Sequence, residues 1–473
     1  MSTSAARGRT SGTLGTFSGV FTPSILTILG IILFLRLGYV VGNAGLIWAL
    51  VIIGLANLIS VLTSASLAAV ATNLKVKGGG DYYLISRTLG LEFGGAIGIV
   101  LFLAQSVSIA FYSIGFGEAA AMLMPFSVKY LPQLIASGAV LLLFIFAWLG
   151  ADWAARFQFF IMVVLFAAIA SFFIGGAMRW DAALLENNLA APANAPPFWM
   201  IFAIYFPAVT GFTQGVSMSG DLKDPGKSLP QGTFAAVGIS IVIYFLSAVI
   251  FAGALPRDIL ATDYNAMKRV AAVDSLVLAG VISATLSSAM ASFMGAPRIL
   301  QSLSADRIFP FLLPFAKGAG SRNNPRRGVL LSGSIALVTI GLGNLNVVAP
   351  VVSMFFLISY GLLNYATYYE ARAASPSFRP TFRSYRFQQI RSHLLEAAQA
   401  QEHPRDWRPA LLIFSDDPDR RRPLVQFADW IQGDRGFASL VRILQAEGPQ
   451  IQKERAAAEK ELLKDIKELD VDV

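Results

Sequence analysis

Residues 207–212 read Pro207-Ala208-Val209-Thr210-Gly211-Phe212 and stand in the middle of an apolar run extending from about 198 to 219. A helix that crosses a bilayer needs about 20 apolar residues, so the run is long enough to span. A proline without an amide hydrogen, followed closely by a glycine, interrupts the helical ladder at its centre. Such a break at mid-membrane frees backbone N–H and C=O groups, the low-cost source of polar atoms for a transporter's binding site. Thr27-Ile28-Leu29-Gly30-Ile31, near the middle of the first apolar run, is a second candidate break.

Working outward, ten apolar runs of helical length lie near 17–41, 44–71, 92–125, 132–150, 156–177, 198–219, 232–254, 272–303, 328–345 and 348–369. Glycine and proline are scattered through them, which favours helices over a barrel. The interrupted runs are the first and the sixth, and each opens a set of five. That placement suits an inverted repeat of five plus five helices. The expected fold class is therefore an all-α polytopic membrane protein with broken helices 1 and 6, plus a small cytoplasmic α/β domain.

Composition agrees. Of the 473 residues, 55% are hydrophobic and 14% charged, against about 25% charged in a soluble protein, and the mean hydropathy is +0.60. With Cys 0 and His 2, disulfides, thiolate nucleophiles and histidine or thiolate metal sites are excluded, and a hydrolytic or redox enzyme is not expected. The net charge of +8 is read as the basic excess of short cytoplasmic loops rather than as a nucleic-acid surface. Lys75, Lys77, Arg87, Arg156, Lys223, Lys227, Arg307, Lys317, Arg322, Arg326 and Arg327 fall on one side if the N-terminus is cytoplasmic, with Lys129, Arg179 and Arg257 opposite.

Three parts are expected: a cytoplasmic tail over 1–16, a ten-helix transport domain over 17–372 and a small cytoplasmic α/β domain over 373–473. In the last, Ala410 to Phe414 reads as a buried strand, Leu424 to Ile431 as a short helix, Phe437 to Leu444 as a second apolar segment, and the stretch from Gln450 as a charged, solvated helix. Gly78-Gly79-Gly80 lacks the Lys-Ser/Thr of a phosphate loop and reads as a flexible turn. Tyr82, Tyr83 and Phe93 are expected to pack on the inner face of the core. His393 and His403 read as solvated or capping groups.

Free N–H groups at the start of a half-helix suit anions, and carbonyls and hydroxyls on the other side of a break suit dehydrated cations. No Asp or Glu lies near the centre of any run, the nearest being Glu118, Asp221 and Asp274 toward the ends. A cation bound at midplane must then be held by neutral oxygen. A lone charge in low dielectric costs several kcal/mol, so an anion beside it is favoured, and electroneutral salt cotransport follows.

Longer motifs now carry a resemblance. Gly30-Ile31-Ile32-Leu33-Phe34-Leu35-Arg36-Leu37, Ala71-Thr72-Asn73, Gly78 to Arg87, Glu92-Phe93-Gly94-Gly95, Phe206-Pro207-Ala208-Val209-Thr210-Gly211, Ser219-Gly220-Asp221-Leu222, Gly295-Ala296-Pro297-Arg298, Ala349 to Leu357 and Arg408-Pro409 resemble the cation-chloride cotransporter family over nearly all of residues 12–387. Ser287-Ser288 and Asn323-Asn324-Pro325 with Arg327-Gly328 are similar to its sodium-potassium-chloride branch. The resemblance implies a fold of the amino acid-polyamine-organocation (LeuT-like) type, with chloride, potassium and sodium as transported ions and no organic cofactor.

By matching motif, the resemblance implies one chloride on the N–H groups of Gly30, Ile31 and Ile32, and a second on Gly211, Phe212 and Thr213 with the Tyr360 hydroxyl. It implies potassium at Thr27, Ile28, Tyr112, Pro207 and Thr210, and sodium at Leu26, Leu29, Ala284, Ser287 and Ser288. Gly30 to Arg36 and Tyr112 to Glu118 are each six residues along outward-running helices. At 1.5 Å per residue both charges lie about 9 Å outside the site, where Arg36 and Glu118 can pair as a gate.

Two features depart from the family pattern. Position 27 is Thr where the family has Asn, so a hydroxyl replaces an amide oxygen in the potassium shell. After Tyr385-Arg386-Phe387 the family has two further membrane helices, whereas Gln388-Gln389 lead into a charged segment. Those helices lie outside the ten-helix core and serve dimer contacts, so transport is expected to survive while assembly changes, and a homodimer is left open. The partners expected are inorganic ions and the lipid bilayer, not nucleic acid. Two other readings stay open, an amino acid or polyamine transporter of the same fold and a non-transporting membrane regulator.

Overall fold

The computed structural model describes residues 14–72, 82, 86, 91–125, 128–149, 154–217, 222–320, 323–373, 410–415, 417–432, 437–442 and 450–469. Gly78 to Gly80, Tyr83, Asp221, His393, His403 and the segment after Tyr385-Arg386-Phe387, singled out above, lie outside them, as does the side chain of Phe93. The chain forms two compact units, Met1–Arg383 and Ser384–Val473.

Among its described residues the first unit is built of helices. After a π-turn at Phe17–Phe21 come α1 (Thr22–Ile28), α2 (Ile31–Leu35), α3 (Leu37–Thr72), α4 (Leu91–Ala121), α5 (Leu131–Leu149), α6 (Ala154–Met178), α7 (Ala182–Asn188) and α8 (Phe198–Tyr205). Two 3₁₀ turns lead to α9 (Gln214–Ser217), then α10 (Pro225–Ala254), α11 (Arg257–Thr262), α12 (Ala266–Val270), α13 (Asp274–Ala305), α14 (Arg326–Ile340) and α15 (Leu345–Ala373). Among the described residues nine helices are long and apolar enough to cross a membrane. The ninth apolar run of the sequence, expected over 328–345, forms the 15-residue α14, which stops at Ile340 with Gly341 as its C-cap, and Gly343 beyond it takes φ +133°. That helix is about 22 Å long, short of the others.

The first two runs are separated inside α3 at Gly45, where φ is +72° and ψ 158°. A Cβ there would lie 2.5 Å from the Ala190 carbonyl carbon, so glycine is required both for the turn and for the contact. The broken helices and α4 sit innermost. In their most apolar windows 89% of the Phe17–Leu35 residues and 83% of those in Gly94–Ala121 and in Phe198–Val216 are buried, against 28% for α5. Small residues allow this: a Cβ on Gly115 of α4 would collide with the Ile31 side chain of α2. Leu141, Leu142, Ile145 and Leu149 of α5 are exposed, as a lipid-facing surface requires. Tyr82 is fully buried, donates to Asp306 at 2.8 Å and fills the space a Cβ on Gly98 would take.

In the second unit β1 (Ala410–Phe414) and β2 (Phe437–Val441) pair in parallel, Ala410 opposite Phe437 and Phe414 opposite Val441. Between them runs α16 (Pro418–Gln432), and α17 (Gln450–Leu469) follows. The helix starts six residues earlier than the apolar pattern suggests, because Asp417 accepts the Asp419 N–H at 3.0 Å and caps it. Ile413, Val425 and Ala428 form the core. Arg421, fully buried, binds Asp465 at 2.8 Å and Glu461 at 3.0 Å, and Arg442 reaches Glu461 at 2.7 Å.

Candidate functional site

Leu29 (φ −82°, ψ 30°) ends α1 and Gly30 (φ −90°, ψ −135°) opens α2. A Cβ on Gly30 would stand 3.0 Å from the Thr27 carbonyl oxygen, so the reversal is close enough to favour glycine. In the sixth run, α8 gives way to 3₁₀ turns at Phe206–Val209 and Gly211–Thr213 before α9. Both expected breaks are present. They also press together: a Cβ on Gly211 would lie 2.7 Å from the Ile28 nitrogen and 2.8 Å from the Thr27 carbonyl carbon.

Four carbonyls of the sixth run accept a hydroxyl, three of them from other helices. Ser60 of α3 donates to Val209 at 3.1 Å, Tyr360 of α15 to Thr210 at 2.9 Å, Ser24 of α1 to Phe212 at 3.2 Å, and Thr210 itself to Pro207 at 2.9 Å. In the first run the Tyr244 hydroxyl of α10 donates to the Ile28 carbonyl at 2.7 Å. A tyrosine from another helix thus satisfies the last carbonyl of α1.

The residues expected around potassium converge at this junction. Tyr112 and Thr210 are buried and their side chains are neighbours. Ile28 and Pro207 stand on the two breaks. The Thr27 hydroxyl donates back to the Pro23 carbonyl at 2.9 Å, which leaves its lone pairs as acceptors. Among the residues expected around sodium, Leu26, Leu29, Ala284 and Ser288 are buried and Ser287 is half-buried. The Ser288 hydroxyl has no hydrogen-bond partner among the described residues. The neighbouring Thr285 hydroxyl instead closes onto the Val281 carbonyl at 2.7 Å, the usual arrangement in a membrane helix.

Of the residues expected around chloride, Ile31 and Ile32 open α2, where first-turn N–H groups have no partner within their own helix. Gly30 is the residue before them. Gly211, Phe212 and Thr213 form the 3₁₀ turn. The Tyr360 donor is taken up by Thr210 in this conformation. Every side chain at the junction is neutral, so any bound charge must be balanced by another ion or by backbone dipoles.

Six residues beyond Tyr112, Glu118 meets Arg36. The Arg36 Nη2 lies 2.8 Å from Glu118 Oε2 and 3.0 Å from Oε1, with Arg36 1% and Glu118 15% exposed. The pair belongs to a larger cap. Arg36 Nε donates to Asn346 at 2.6 Å, its guanidinium lies 3.8 Å from the Tyr264 ring centre, and Asn346 donates to the Tyr264 hydroxyl at 2.7 Å. Sequence reasoning did not find Tyr264, Asn346, Tyr244, Ser60 or the buried Gln105–Gln214 pair. The available signal was a lone polar residue in an apolar run, which Tyr244 and Gln105 both show.

The amino acid permease family profile matches residues 19–394. Solute carrier family 12 member 2 of Danio rerio is 35% identical over 429 residues, 78% of this chain and 38% of the relative. Solute carrier family 12 member 1 of Mus musculus is 36% identical over 427 residues, 78% of this chain and 39% of the relative. The chain therefore spans less than two-fifths of the length of these relatives. Among solved structures it is similar to Mhp1, a nucleobase-cation-symport-1 family transporter, in a closed conformation with bromovinylhydantoin bound (14% identity, TM-score 0.49, 75% of this chain and 78% of that one). A Na⁺-coupled sialic acid symporter follows at 13% identity and TM-score 0.47, over 75% and 76% of the two chains.

Proposed function

The chain belongs to the amino acid permease family, and on that premise we propose that it is a secondary active, electroneutral symporter moving chloride with potassium and sodium. It is an integral membrane protein. The observation that carries the reading is the junction of the two breaks, where Tyr112, Thr210 and backbone groups meet with no carboxylate among them. Neutral oxygens hold the cation and the anion supplies the countercharge. Potassium is assigned to Thr27, Ile28, Tyr112, Pro207 and Thr210, sodium to the Ser288 hydroxyl with Leu26, Leu29, Ala284 and Ser287, and chloride to the N–H groups of residues 30–32 and 211–213. The similarity to solute carrier family 12 members supports the assignment, and so do the motifs shared with cation-chloride cotransporters.

The reading extends to the surroundings. Arg36–Glu118 is the gate on one side, and the N-terminus and the second unit lie in the cytoplasm. Residues 17–372 are the transport domain. Gly211 sits directly on Thr27 and Ile28, which suits dehydrated ions better than an organic side chain.

The test is rubidium uptake by proteoliposomes in chloride and in gluconate. Uptake that needs chloride, with little uptake of labelled amino acids, is expected. Rubidium accumulation that is equal in gluconate would overturn the reading, as would amino acid uptake independent of halide.

A further inference from the structure

On α4 the amide of Gln105 lies seven residues before Tyr112, as Glu118 lies six after it. At 1.5 Å per residue the two polar groups flank the junction from opposite ends, about 10 Å and about 9 Å away. Gln105 is fully buried and Gln214, the first residue of α9, is 4% exposed. Gln214 Nε2 donates to Gln105 Oε1 at 3.1 Å. The Gln105 side-chain nitrogen, with its two N–H groups, has no hydrogen-bond partner among the described residues.

A pair of glutamines that served only to hold α4 to α9 would close both amides on each other or on a carbonyl. This one keeps a buried donor unmade, which is costly where water is excluded. Gln214 also follows directly on the turn Gly211–Thr213, whose N–H groups are assigned to chloride above. We infer that the Gln105–Gln214 amide pair is an additional halide subsite, one step from the junction on the side away from Arg36–Glu118. The inference rests on the symport reading for the identity of the ion. N–H dipoles repel a cation and attract a small anion, and the complete burial of Gln105 suits a bare halide rather than an organic carboxylate.

The subsite is tested in Gln105→Met/Gln214→Met, which removes both amides together so that neither is left unpaired, and in Gln105→Glu, which keeps the shape and replaces N–H donors by acceptors. In proteoliposomes the chloride concentration for half-maximal rubidium uptake should rise about three- to tenfold in the double variant, as for loss of one or two neutral hydrogen bonds, and further in Gln105→Glu. The half-saturating rubidium concentration should stay within about twofold. Superimposable chloride curves for parent and double variant would overturn the subsite, as would equal shifts in the chloride and rubidium curves.

A second measurement separates this inference from the symport reading. The purified full chain is melted in detergent across a chloride titration at fixed ionic strength, with gluconate as the balance. If the parent's rubidium uptake is indifferent to chloride, the symport reading falls. The subsite still stands if chloride raises the parent's Tm and the double variant loses that rise, and it falls with an unshifted parent.

Discussion

Gly211 and Ile28, 183 positions apart in sequence, meet so closely that a Cβ on the glycine would lie 2.7 Å from the Ile28 nitrogen. Two helix interruptions that each look like a local defect are thereby one structure, in which the loose backbone of either break leans on the other. Hydroxyls from α1, α3, α10 and α15 hold the carbonyls around that contact.

Gly211→Ala should drive the breaks apart, because the atoms it meets are backbone and cannot swing away. Overpacking of this kind costs about 1–3 kcal/mol. Rubidium uptake should fall by about tenfold or more, while size-exclusion elution stays that of the parent. Parental uptake would show that the contact is not needed.

Tyr244→Phe removes the hydroxyl that donates to the Ile28 carbonyl without changing the packing of the ring. A buried carbonyl left unmade costs about 1–3 kcal/mol, so Tm should drop by a few degrees. The half-saturating rubidium concentration should rise, since Ile28 is assigned to that ion. A variant with parental Tm and parental affinity would remove Tyr244 from the site.

Glu118→Gln leaves Arg36 with Asn346 and the Leu35 carbonyl. Losing one partner of a buried ion pair costs about 3–5 kcal/mol, and partial exposure of Glu118 puts this case at the lower end. The chain has Cys 0, so Ile31→Cys supplies a single thiol beneath the pair. Its labelling by an impermeant maleimide should quicken about tenfold or more when Glu118→Gln is added. Unchanged labelling would mean that the pair does not close the site.

Tyr112→Ala should remove the dependence of uptake on potassium or rubidium, and Ser288→Ala should weaken the dependence on sodium. Omitting each ion in turn from the flux buffer reads both effects. Parental ion dependence in both variants would defeat the assignment of the cation sites.

In the second unit, hydrogen bonds from Arg421 and then Arg442 hold the Glu461 carboxyl below its ordinary value of 4.5. A carboxylate whose pKa is lowered by folding adds stability that is complete above the unfolded value and is lost as pH falls through the folded one. Amide exchange of β1 and α17 in the full chain should therefore accelerate as pH drops below about 4.5, after correction for the intrinsic rate. Glu461→Gln should flatten that dependence, and an equal slope in the variant would contradict it.

Much of this architecture was legible from residue order. Gly30, Pro207 and Gly211 mark the breaks because a missing amide hydrogen or a missing side chain acts on the nearest turn of its own helix. Arg36 and Glu118 were placed at one depth by counting 1.5 Å per residue from Gly30 and from Tyr112. The run was read through to 345, whereas α14 stops at Ile340 and the chain turns through Gly341 and Gly343 before Asn344. Tyr264 and Asn346 gave no sign of joining Arg36, because each lies in a connection or at a helix start whose path only the packed helices define.

Hydropathy, helical period and the position of the helix breakers determined by themselves that the chain is helical, spans the membrane and is interrupted twice, because these are properties of neighbours in sequence. Which donor would satisfy each freed carbonyl was decided only in three dimensions. The Tyr244–Ile28 and Tyr360–Thr210 bonds join positions 216 and 150 residues apart, and the Gln105–Gln214 pair joins positions 109 apart. A hydrogen bond is directional and short-ranged, so its partner is set by how the helices pack, which no local pattern encodes.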